Sequence, residues 1–121
     1  MAKASQVVIM EGEYYIIKAP NGKVLEVKDF NTENGAGIQL WSYAGHPWQQ
    51  WQFVDAGEGR WRIRNRFTGK FIDLALGGVV EGTWLHQWGR TSGLSQCWEL
   101  ESTRNGRTRI RNVLADKYID L

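Results

Sequence analysis

Gly82-Thr-Trp-Leu-His-Gln-Trp88, followed by Gln96-Cys-Trp98, repeats an earlier run in the same chain. That run is Gly35-Ala-Gly-Ile-Gln-Leu-Trp41, followed by Gln49-Gln-Trp51, and the offset is 47 residues. The offset holds well beyond these two runs. Gly12 falls on Gly59 and Gly59 on Gly106; Ile16 falls on Ile63 and Ile63 on Ile110. Gly22-Lys23 falls on Gly69-Lys70, while Glu26, Asp73 and Asp120 form one acidic column. So many Gly, Trp and Gln coincidences in one ungapped register mark an internal repeat, which decides architecture before any local propensity is weighed.

Each unit reads as four short strands. The second copy is the clearest, because Arg60-Trp-Arg-Ile-Arg-Asn-Arg66 alternates apolar and charged residues with the period of a half-buried strand. Thr68-Gly69-Lys70 supplies a hairpin turn, and Phe71-Ile-Asp-Leu74 the return strand. Thr83 to Trp88 and Gln96 to Leu100 are the third and fourth strands, with Gly77-Gly78 and Glu81-Gly82 bracketing a loop. No capped helical periodicity is present. Repeated four-strand units predict a closed threefold arrangement, since closure removes exposed sheet edges. The fold expected is all-β, a β-trefoil of 47-residue units.

Seen this way, the 121 residues form a single domain. Lobe 1 covers about 12–58, lobe 2 about 59–105, and a partial lobe 3 about 106–121, with segment 4–10 serving as an N-terminal strand. The third unit stops about 20 residues short of the 47-residue period, lacking the equivalent of Ala75 through Leu94. Such a gap is expected to expose core and a strand edge. A homo-oligomer or a domain-swapped assembly would cover it.

Composition narrows the functional classes. Seven Trp and fourteen Gly are many for this length, and two Pro are few. The single cysteine, Cys97, excludes an intramolecular disulfide framework and is expected to be buried rather than reactive. A net charge of +2 does not demand an acidic partner. Arg60, Arg62, Arg64 and Arg66, partly echoed by Arg104, Arg107, Arg109 and Arg111, are expected to form a solvated strand face; nucleic acid is not an expected partner. Met1 to Gln6 precede no long apolar run, and no stretch reaches the roughly 20 apolar residues of a membrane span. The expectation is a cytoplasmic chain, or one secreted without a visible signal peptide. His46 and His86, the only histidines, have no Ser or Cys at a recognised catalytic spacing. No His and Cys cluster has metal-ligand spacing. Neither an enzyme nor a cofactor is expected.

The two Gln-x-Trp motifs, Gln49-Gln50-Trp51 and Gln96-Cys97-Trp98, together with Gly22-Lys-Val-Leu-Glu26 and Gly69-Lys-Phe-Ile-Asp73, resemble the ricin-B-type lectin repeat. The resemblance spans about residues 12 to 121. It implies a sugar-binding protein for galactose-type or xylan-type glycans. It also implies a site in which a carboxylate reads adjacent hydroxyls and an aromatic ring covers the apolar face of the sugar. Carried over by position, lobe 2 supplies Asp73, Trp88, His86 and Gln96 and ranks first. Lobe 1 supplies Glu26, Trp41, Gln39 and Gln49, with a longer acid than the family's aspartate and with Trp48 where the family often has asparagine. Lobe 3 supplies Asp120 without a stacking residue. Ser95 likewise replaces the asparagine that commonly precedes the Gln of lobe 2. Trp51, Trp98, Trp61, Ile16, Ile63 and Ile110 are expected in the core. The alternative function is a protein-interaction or self-assembly module built on the trefoil and its open third lobe.

Overall fold

The computed structural model describes residues 8–75 and 84–119. Among the described residues, nine strands follow one another. They are β1 (Tyr14–Tyr15), β2 (Val24–Val27), β3 (Ile38–Trp41), β4 (Trp51–Gly57), β5 (Arg60–Asn65), β6 (Phe71–Leu74), β7 (Leu85–Trp88), β8 (Trp98–Ser102) and β9 (Thr108–Asn112). Short 3-10 turns lie at Lys28–Phe30, Pro47–Gln49 and Leu94–Gln96. None is long and apolar enough to cross a membrane.

All pairings are antiparallel. β4 pairs with β1 and β5, β5 also with β6 and β8, and β8 with β9. Two hairpins, β2 with β3 and β6 with β7, stand 47 residues apart in matching register, so that Glu26 faces Gln39 as Asp73 faces His86. This is the expected β-trefoil arrangement, with longer strands as barrel staves and the four-residue hairpins as caps.

The core is built from the repeat. Trp51, Phe53, Ile63, Ile72, Trp98 and Ile110 pack with Leu25, Val27 and Leu74 in one buried cluster. Each core indole is also tied by its nitrogen: Trp51 Nε1 donates to Leu25 O at 3.0 Å, and Trp98 Nε1 to Ile72 O at 3.1 Å, one unit later. Asn65 and Asn112 recur in the same way. Each amide donates to the carbonyl of the residue before a motif glutamine, Trp48 or Ser95, and each side-chain oxygen accepts two turn N–H groups. Buried polar groups that are fully matched fix one register rather than several. Cys97 is buried, as expected.

Several expectations need correction. Ile16 is not core: it is 42% exposed, and Ile17 is buried in its place. The alternation itself runs on through this stretch, with Tyr15, Ile17 and Ala19 inward and Tyr14, Ile16 and Lys18 outward, so the inward set lies one residue later than a 47-residue shift from Ile63 places it. Trp61 is only half-buried, packing on the core edge-to-face with Phe53. Residues 8–10 form no strand, and the rest of the expected 4–10 strand lies outside the described residues. β7 begins at Leu85 and β8 at Trp98, each two residues later than the alternation predicts.

The arginines do not form a bare cationic stripe. Arg111 meets Glu99, Glu101 and Asp116; Arg60 meets Glu58 and Glu99; Arg66 donates to Gln50 and lies over Tyr14. On the side of the third unit, a largely apolar cavity of about 820 Å³ is lined in part by Ile16, Phe53, Leu100, Ile110, Tyr118 and Ile119.

Candidate sugar site

The site of the second unit is assembled on the β6–β7 hairpin. Strand alternation turns Leu85 and Gln87 inward and leaves Trp84, His86 and Trp88 on the outer face. The register sets Asp73 directly across from His86, and Phe71 across from Trp88. His86 Nε2 lies 3.2 Å from Asp73 Oδ2, and the His86 ring sits 5.4 Å from the Trp88 ring, tilted by 32°. Trp88 remains 39% exposed. An acid, an imidazole and an open indole thus stand in one row.

One atom in this row is unsatisfied. Asp73 Oδ1 is buried and has no hydrogen-bond partner, a condition shared among the described residues only with Arg62 Nε. A buried acceptor left unpaired costs about 1–3 kcal/mol, and more when charged. A donor brought by a ligand would remove that cost.

The first unit repeats the positions but not the state. Gln39 Nε2 donates to Glu26 Oε2 at 2.9 Å, and Gln49 Nε2 donates to Glu26 Oε1 at 3.0 Å. Glu26 is buried, with both oxygens occupied. The extra methylene of glutamate is what lets this acid reach both amides. Trp41 is highly exposed, but the carboxylate of its unit is already spent on Gln39 and Gln49. Trp48, next to Gln49, is stacked by His46 at 4.2 Å and touched by Phe30 and Phe67, so aromatic contacts replace a polar rim there.

Gln49 and Gln96 lie below both surfaces rather than on a rim. Gln49 also donates to Ser42 O and accepts from Ala44 N–H. Gln96 donates to Gly89 O at 2.8 Å and accepts from Thr91 N–H at 3.0 Å. Both are buried, so their geometry is that of ties holding the loop between the third and fourth strands of a unit. Asp120 lies outside the described residues. Among the described residues, no group of three His, Cys, Asp or Glu side chains could hold a metal ion.

Residue-by-residue transfer missed the wall that lobe 1 contributes. Gly35 N–H donates to Gln87 O, Gln87 N–H to Ala36 O, and Gly89 N–H to Asn34 Oδ1. The Gln87 amide donates to Asn31 O and Glu33 O and accepts from the Thr68 hydroxyl. Gly35 has φ +87°, the left-handed backbone that glycine adopts without strain; a Cβ there would meet the Trp88 ring at 3.7 Å, an ordinary contact distance, so the turn is what calls for glycine. The signal was hidden because position 87 corresponds to Leu40 in the first copy.

A family model described as ricin-type beta-trefoil lectin domain-like matches residues 6–88. Among solved structures, a designed threefold-symmetric protein, ThreeFoil, is 30% identical with a TM-score of 0.85, over 88% of this chain and 77% of that one. An exo-beta-1,3-galactanase from Clostridium thermocellum is 32% identical with a TM-score of 0.73, over 79% of this chain and 21% of that one. A Polyporus squamosus lectin, 22% identical with a TM-score of 0.75, is covered over 38% of its length by 88% of this chain and shares its fold. The chain therefore spans most of the designed protein but only a minor part of the other two. No curated protein matches it by sequence.

Proposed function

Because the chain belongs to the ricin-type β-trefoil lectin-like family, we propose that it is a non-catalytic carbohydrate-binding protein whose working site lies in the second unit and takes galactose-type or xylan-type glycans. The observation that carries this reading is Asp73 Oδ1, buried and unpartnered in the row that ends at the open face of Trp88. A pyranose offers what the row lacks: hydroxyl donors on its rim and a C–H face for the indole. His86 shares the other carboxylate oxygen and holds the acid toward this face. Glu26 and Trp41 do not form an equivalent site, because Gln39 and Gln49 have taken both carboxylate oxygens. The likeness to part of an exo-beta-1,3-galactanase supports the galactose-type class. A single shallow site should bind at about millimolar strength, because little area is buried.

Titration with methyl β-galactoside and with xylose, followed by tryptophan fluorescence, tests the reading. A saturable change is expected with one of the two sugars, and it should shrink strongly in Trp88→Ala. No response to either sugar or to their oligomers would refute a sugar-binding role.

A second reading, self-assembly, is favoured by the apolar cavity beside β9. Burying Ile16 and Tyr118 against a second copy would remove exposed apolar surface. Light scattering over a concentration series should then show a dimer or larger species that Ile16→Lys dissociates. A monomer at every concentration rejects it.

A further inference from the structure

Trp84 stands on the same outer face as the site but has no role in it so far. It is 55% exposed. Ala75 N–H donates to Trp84 O at 3.0 Å, which continues the β6–β7 ladder one residue beyond the last named pair, Leu74 with Leu85. Trp84 is thereby held in strand register, two residues from His86 as Trp88 is on the other side. At about 3.3 Å per residue, the two indoles are anchored on the order of 13 Å apart, with Asp73 opposite the midpoint. One pyranose ring cannot cover both.

This row is unique to the second unit. The position corresponding to Trp84 in the first is Gly37, which has no ring to offer. Its backbone instead pairs with His86, bringing the first unit up against the middle of the row. A tryptophan at 84 therefore does not follow from the scaffold shared by the two units. Its neighbour Leu85 already packs on the core and anchors the start of the strand. A single exposed apolar side chain is ordinary on a protein surface. This one repeats the site's own stacking residue at strand spacing, with the unsatisfied carboxylate between them.

We propose that Trp84 is a second stacking subsite, so that the second unit binds an oligosaccharide of at least two sugar residues. One residue lies over Trp88 and within reach of Asp73, and a following one lies over Trp84. The proposal rests on the carbohydrate reading above and adds chain length to it. Indole suits the task, because it presents a large rigid surface while only two side-chain torsions need ordering.

Calorimetric titration of wild type, Trp84→Ala, Trp84→Phe and Trp88→Ala with two series decides it: methyl β-galactoside against β-1,4-galactotriose, and xylose against xylotriose. In the series that binds, wild type should prefer the trisaccharide by roughly three- to tenfold, the range expected of one aromatic contact. Trp84→Ala should bring that ratio close to one, Trp84→Phe should keep part of it, and Trp88→Ala should weaken both ligands. A ratio left intact in Trp84→Ala, or a wild-type ratio of one, overturns the second subsite while leaving the carbohydrate reading standing. Failure of wild type to bind any member of either series overturns both.

Discussion

Trp98→Ala should lower the free energy of unfolding by about 3–5 kcal/mol, the range for deleting a large buried aromatic. The indole is 1% exposed, packs at the centre of the buried cluster, and donates to Ile72 O. Removal leaves a cavity together with an unanswered carbonyl. Native domains hold only about 5–15 kcal/mol in reserve, so much of the chain should be unfolded at moderate temperature. Urea denaturation followed by circular dichroism reads the effect. Trp98→Phe, which retains most of the ring but not the N–H, should cost less. Trp41→Ala should change stability by less than about 0.5 kcal/mol, since that indole is highly exposed. A small loss in Trp98→Ala would mean that the core is not organised around this residue.

Asp73→Asn should weaken glycan binding by roughly tenfold or more, with little loss of stability. Hydrogen bonds to a charged group contribute about 1.5–3 kcal/mol, and the amide keeps the shape of the side chain while losing its charge. Its oxygen can still accept from His86, so the hairpin should stay closed. Retention on immobilised galactose or xylan, with melting temperature recorded in parallel, separates the two effects. Glu26→Ala is predicted to behave in the opposite way. It strands the amides of Gln39 and Gln49, so stability should fall by about 1–3 kcal/mol while glycan retention stays close to wild type. If Glu26→Ala abolished retention and Asp73→Asn did not, the assignment of the working unit would be reversed.

The repeat made the architecture legible because a trefoil uses like residues in like places. Trp51 with Trp98, Asn65 with Asn112 and Gln49 with Gln96 do the same physical work in successive units, and a 47-residue shift reveals them. The grouping of Asp73, His86 and Trp88 came instead from the resemblance to the ricin-B-type repeat, and the register sets Asp73 across from His86, two residues from Trp88. That shift is blind to what only one unit possesses. Gln87 falls on Leu40 and Trp84 on Gly37, so neither draws notice when copies are compared. Glu26 fails differently: its type is conservative, but one methylene turns an open acceptor into an internal tie. Ile16 matches Ile63 and Ile110 in sequence, yet the inward side of its strand runs through Tyr15, Ile17 and Ala19, one residue out of step with the later units.

The Gln87 amide carries a consequence for how the molecule comes apart. Its partners Asn31 O and Glu33 O belong to the preceding unit, and Gly35 and Ala36 exchange backbone bonds with the same residue. The hairpin bearing Asp73 and Trp88 cannot detach without stripping its neighbour's loop. Heating should therefore melt recognition and framework together in one transition. By mass action, a saccharide seated at Trp88 would raise the melting point of both units, although it touches only one.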